Sequence, residues 1–267
     1  MENGAQVITY RTADGNVLPI ECHEALPSTA ALAREYARKG YPDHYCIFAQ
    51  AQADTALTGT RLPEGATDRG VFISCILRPR FFPSQAGPLG ELCAVALASA
   101  LEQHTDRLMD IGWISDIYCE GKRIGGCALE SKLDAYTAYE YLIVTFAAHT
   151  DDRLFPCRLS DMVKQVFSEN HASVPLRMCE SILDRFFHLY RNMHAVHTFL
   201  DDYRRRFIMT GLSVTCQEGE KKHRGRILGI DPDDGCLRID LGRAGMRKVS
   251  GRANLTLPKR VHKRKTT

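Results

Sequence analysis

In the stretch WISDIYCEGKRIGGCALE, Trp113 to Glu130, two cations, Lys122 and Arg123, stand just before the adjacent glycines Gly125 and Gly126. Paired glycines inside a strand mean that something approaches the backbone closely. The candidate chemistry is therefore recognition of a group that lies against bare main chain beside fixed positive charge. Two other clusters offer less. His194 and His197 share a helical face with His188 nearby, but no carboxylate stands at complementary spacing, so a surface cluster is expected and no metal site. Cys119 and Cys127 are the closest cysteine pair, and they read as buried thiols rather than nucleophiles, because no histidine partner is fixed by the spacing.

These residues need elements to hold them. The apolar run Ile111 to Cys119 reads as one strand, followed by a turn and a second strand from Arg123. Ser28 and Thr29 precede ALAREYARK and Gly40 follows, which predicts a capped helix burying Ala31, Leu32, Tyr36 and Ala37. YCIFAQAQ (Tyr45 to Gln52) and VFISCILRP (Val71 to Pro79) read as strands, with a long polar passage from Asp54 to Gly70 as a candidate binding loop. From Pro88 an almost wholly apolar segment predicts a central helix, and Ala138 to Ala148 a further strand. Leu176 to Phe207 reads as helices whose aromatics pack in the core.

From Gly211 short alternating segments recur, separated by Glu218-Gly219, Asp231 to Gly235 and Gly242 to Gly245, and predict a small β-barrel. The expected organisation is a larger domain over residues 1–210, a barrel over 211–257 and a basic, disordered tail over 258–267. That tail, PKRVHKRKTT, carries five of the 35 basic residues, leaving 30 against 32 acids elsewhere, so the body is near neutral and nucleic acid is not expected as a partner. No run of 18 apolar residues occurs and ten cysteines lie scattered without a C-x-x-C pair, so the expectation is a soluble cytoplasmic protein with reduced thiols and no membrane partner.

In this order the elements resemble the biotin–protein ligases of the biotin and lipoate ligase fold. That family's first helix opens Ser-Thr-Asn, matched by Ser28, Thr29 and then Ala30. A glutamine precedes its nucleotide loop, matched by Gln52. Its Lys-Trp-Pro-Asn-Asp strand corresponds to Gly112-Trp113-Ile114-Ser115-Asp116, and its Lys-x-Gly/Ala-Gly strand to Arg123-Ile124-Gly125-Gly126. The Gly-Ile-Asn that closes its third strand has become Ala147-Ala148-His149, and GRILGIDPDDGCLRID followed by SGRANLTL looks like its C-terminal cap. The resemblance covers Glu21 to Leu257.

The resemblance implies an α+β fold of the class II aminoacyl-tRNA synthetase kind: a mixed sheet with helices on one face, plus a small C-terminal barrel. It implies ATP-dependent adenylation of biotin or a related acid, Mg²⁺ carried by the phosphates, and transfer to a lysine of a biotin carboxyl carrier-type protein. Arg123, with Lys122 beside it, would be the catalytic cation, which an arginine serves with a wider fork than the family's lysine. Ser28, Thr29, Gln52, Trp113, Gly125 and Gly126 would contact the acid, and Arg61, Arg69, Asp116 and His149 the nucleotide. A plain role stands beside each: ion pairing for Arg123 and Asp116, capping for Ser28 and Thr29, core packing for Trp113. The alternative is a non-catalytic binding module on the same fold. Residues 1 to 20 are too few for a helix-turn-helix, so no DNA-binding domain is expected, and a homodimer is left open.

Overall fold

The computed structural model describes residues 5–59, 67–149, 174–218, 221–251 and 255–257. Eight strands form one sheet in the order β1-β2-β3-β4-β8-β7-β6-β5. Their ranges are β1 Gln6–Arg11, β2 Val17–His23, β3 Tyr45–Gln52, β4 Asp68–Leu77, β5 Met109–Gly112, β6 Asp116–Cys119, β7 Lys122–Leu133 and β8 Tyr139–His149. Only β2 and β3 pair in parallel, so the sheet is mixed.

The helices are α1 Thr29–Arg38, α2 Leu89–Glu102, α3 Val174–Arg191 and α4 His197–Arg206. They divide between the two faces, which corrects the expectation that all lie on one. Strand alternation is the cause. Val71, Ile73, Cys75 and Leu77 of β4 pack with α2, α3 and α4, whereas Ile76, with Ile47 and Ile143, packs against Ala33 and Ala37 of α1. Both faces of β4 are apolar because both are covered. Helix α2 is buried around most of its circumference, from Leu89 to Leu101. Helix α1 is capped as expected: Ser28 Oγ accepts from the Ala31 N–H at 3.4 Å, and Gly40 takes φ 83° after its end. The Arg78 guanidinium donates to the Ala37 and Tyr41 carbonyls and ties the end of α1 to the chain after β4. Ala31 is exposed and Ala33 takes its place in the core.

Two further departures concern strands. The expected strand from Ile111 to Cys119 is a hairpin: Gly112 pairs with Asp116, and Trp113 to Ser115 make the connection. Trp113 leaves the sheet because it is fully buried beneath the C-terminal part, its indole N–H donating to Gly251 O at 3.4 Å. The hairpin of β1 and β2, around Asp14-Gly15-Asn16, was not anticipated. The C-terminal strands, β9 Ser213–Glu218, β10 Lys221–Ile230, β11 Leu237–Asp240, β12 Met246–Val249 and β13 Leu255–Thr256, form an antiparallel sheet in the order β12-β11-β10-β9-β13. It is not closed as a barrel: among the described residues β12 and β13 are its two edges. Val214, Ile227, Leu237 and Ile239 of this sheet join the main core.

Candidate functional site

Five strands contribute one residue each to a row across the α1 face. Asp116 of β6 pairs with Gly126 of β7, Gly126 with Ala147 of β8, Ala147 with Phe72 of β4, and Phe72 with Ala49 of β3. Three of the five side chains are no larger than a methyl group, so the row is a shallow trough with a carboxylate at one end. The chain after β3 lies over it, and Leu57 packs on Ala49, Phe72 and Ala147.

Arg123 closes the Asp116 end. The β6–β7 turn is the two-residue Glu120-Gly121, both at positive φ (50° and 80°), the geometry that suits the twist of a hairpin. A bulge between Ile117 and Tyr118 then re-aims β7. The Arg123 guanidinium lies 2.8 Å from Asp116 Oδ1 and donates to Ala56 O at 3.3 Å, while Gly59 packs against it. Its Nε is buried and has no acceptor among the described residues. Lys122 is exposed at the start of β7 and does not join this group.

The glycines have a structural explanation. A Cβ on Gly125 would stand 2.1 Å from Ala147 O, and one on Gly126 would stand 2.8 Å from Ser115 O. What approaches them is the main chain of the neighbouring strands, with Leu57 O near Gly126 on the trough side at 3.6 Å.

Along one flank of the trough runs a buried polar chain. Gln52 Oε1 accepts from both the main-chain N–H (2.8 Å) and the hydroxyl (3.0 Å) of Thr29, and Gln52 Nε2 donates to Asp54 O at 2.7 Å. Ser74 Oγ donates to Thr29 Oγ1 and lies 3.0 Å from Thr145 Oγ1. A hydroxyl has one proton, so Thr145 must be the donor to Ser74. Ser28 Oγ donates to Asp54 Oδ2 at 3.2 Å. Ser28, Thr29 and Gln52 are thus brought together, and they pin the start of α1 to the start of the loop.

At the far end His149 Nδ1 lies 3.2 Å from Asp68 Oδ1, both side chains almost wholly buried, and Thr58 Oγ1 donates to Asp68 Oδ2 at 2.8 Å. His149 shares the trough face with Ala147, two residues earlier on β8. Arg69 is exposed, and alternation turns it to the opposite face from Asp68 and Gly70. Trp113 stands in the core on the α2 side and not in the trough. Arg61 lies outside the described residues. Asp68, Thr58, Ser74, Thr145 and Leu57 were not read from the sequence; their partners are distant in the chain, and single Ser, Thr or Asp residues carry no local signal. Among the described residues no group of three or more His, Cys, Asp or Glu could hold a metal ion, and no helix is long and apolar enough to cross a membrane.

No protein-family model matches the chain. The bifunctional ligase/repressor BirA of Bacillus subtilis is 24% identical over 235 residues, spanning 85% of this chain and 70% of that protein. The biotin protein ligase of Aquifex aeolicus, as an R40G mutant in complex with biotin, superposes with a TM-score of 0.64 at 17% identity, over 90% of this chain and 97% of its own. The chain has the fold of the biotin protein ligases. A biotin protein ligase-like protein of unknown function from a Silicibacter species superposes as well, with a TM-score of 0.61 at 16% identity, over 87% and 94% of the two chains. Arg123 meets Asp116 at one end, and β8 ends in Ala147-Ala148-His149, whose histidine meets Asp68.

Proposed function

We propose that the protein is an ATP-dependent ligase that adenylates a small carboxylic acid, biotin or a related acid, and passes the acyl group to a lysine of a carrier protein. In the first step a carboxylate oxygen of the acid attacks the α-phosphorus of ATP and pyrophosphate leaves. In the second the lysine amine attacks the acyl carbon, AMP leaves and the amine loses a proton. The observation that carries this reading is the trough from Asp116 to Ala49, a strip of small side chains beside Arg123 that Leu57 covers and would uncover by shifting. The Aquifex aeolicus enzyme is also known in complex with biotin and ATP, on the same fold.

Arg123 is the residue expected to act on the reacting atoms. Charge develops on phosphate oxygens during transfer, and a fixed cation stabilises it where water is excluded. The buried Nε of Arg123, with no acceptor among the described residues, is a donor free for such an oxygen. Asp116 holds the guanidinium in place through Nη2. Ala56 and Leu57 must shift for the acid to enter, and closure of the same segment would then exclude water. Thr29 and Gln52 face the far end of the acid. Mg²⁺ would arrive with the triphosphate, held by phosphate oxygens and water.

Calorimetry with biotin, lipoate, octanoate and ATP, singly and in pairs, tests this. One acid is expected to bind, and more tightly once ATP is present. Binding of an acid with no effect of ATP would leave a non-catalytic binding module instead.

A further inference from the structure

On the opposite face of the sheet from the trough, a cavity of 290 Å³ opens between the N-terminal turn of α2, the outer halves of β7 and β8, and the β10–β11 turn. Leu89, Ile114 and Leu142 give it apolar walls. Glu91 lines it and is only 5% exposed. Its own main-chain N–H reaches its carboxyl, and among the described residues no side chain bonds or ion-pairs with it. Asp234, from the β10–β11 turn, adds a second carboxylate, and no Lys, Arg or His is among the described residues that line it.

A buried carboxyl that lacks a counter-charge is costly to ionise. Burial first, and the neighbouring Asp234 second, push Glu91 up to about 8. Asp234 is itself paired with Lys248 Nζ at 3.2 Å, and Lys248, which also bonds Asp231 at 2.7 Å, is not among the lining residues, so Glu91 is the acid left without a counter-charge among the described residues. Cys236, raised to about 11 by burial, and Tyr139, raised by burial, also line the space and stay neutral near pH 7. Among the described residues the cavity therefore combines apolar walls with the unpaired acid Glu91, the Lys248-bound Asp234 and no cation in its lining. A carboxylate or phosphate would be repelled there, and a neutral ligand would leave Glu91 unpaired.

We propose that this cavity is a second ligand site that takes a small organic ammonium ion, an apolar body bearing a primary amine, with Glu91 as its counter-ion. Binding converts Glu91 from acid to carboxylate and releases its proton to solvent, while the ammonium keeps its own. Below pH 8 affinity should therefore rise about tenfold per pH unit, because the fraction of ionised Glu91 does. Occupancy of this face requires nothing of the trough and is independent of the ligase reading.

The test is calorimetry on the full chain with 2-phenylethylamine and its neutral analogue 2-phenylethanol, at pH 6, 7 and 8 in buffers of different ionisation heat. The amine is expected to bind at least tenfold tighter than the alcohol at pH 8, to release close to one proton at pH 6 to 7, and to tighten as the pH rises. Glu91→Gln should remove the preference for the amine and its pH dependence. Should that variant fail to fold, Ser131→Trp, on the exposed rim, should block the amine alone. Equal affinity for amine and alcohol, no binding of the amine at pH 8, or an amine response unchanged in either folded variant would overturn the proposal.

Discussion

Asp116 Oδ1 and Arg123 Nη2 stand 2.8 Å apart across the β6–β7 bulge, with the carboxylate side chain 11% and the guanidinium 30% exposed. The pair is half sheltered, so removing one partner leaves the other poorly solvated. Asp116→Ala is expected to lower stability by about 1–2 kcal/mol, less than a fully buried pair would lose. It should also loosen the 54–59 segment, since Arg123 would swing away from Ala56. Denaturant titration with native-state hydrogen exchange at residues 54 to 59 checks both. Unchanged protection there would mean that Arg123 does not hold the segment.

Gly125 is expected to tolerate no side chain. Its Cβ would overlap Ala147 O at 2.1 Å, and the atom met is main chain, which cannot rotate aside. Gly125→Ala should destabilise the fold by about 3 kcal/mol or more, near the upper end of overpacking costs, with loss of soluble protein as the readout. A variant as stable as the parent would return the glycine to a ligand-binding role.

Thr29→Val keeps shape and removes the hydroxyl that links Gln52 to Ser74. Ser74 would lose its acceptor and Gln52 one of two donors, at a cost of about 1–3 kcal/mol in urea unfolding. The same variant should weaken binding of the acid. If stability falls and acid binding does not, the chain is scaffolding only.

Glu91 makes stability pH-dependent by itself. Its folded value of about 8 lies above the ordinary value of 4.5, so the native state holds the proton that the unfolded chain has already lost. Its contribution is fully present below pH 4.5 and is lost as the pH rises through 8, at up to about 1.4 kcal/mol per unit. Glu91→Gln should be less sensitive than the parent in melting temperature between pH 5 and 8. Parallel profiles would show that Glu91 is solvated in the native state.

Much of the scaffold could be read from local pattern. Ser28 and Gly40 bracket α1, the apolar run at Pro88 gave the central helix, and the Glu120-Gly121 turn set the hairpin that carries Arg123. The site was legible only where the chain is continuous. Asp116, Gly126, Ala147, Phe72 and Ala49 form one row because five strands align in register, and no local pattern carries that alignment. Trp113 was misplaced for a related reason: as the only tryptophan it stood out, yet the strand that should present it breaks at Gly112 to bury it under the C-terminal sheet. The barrel was over-read from turn spacing, which counts strands but does not say whether the outer two meet.

The most direct measurement is pyrophosphate release by the purified protein with ATP, Mg²⁺ and a panel of biotin, lipoate and octanoate, beside Arg123→Ala. Release that depends on one of these acids and is abolished in Arg123→Ala is the expected result. No release above background with any acid, together with an unchanged melting temperature on adding ATP, would contradict the ligase reading.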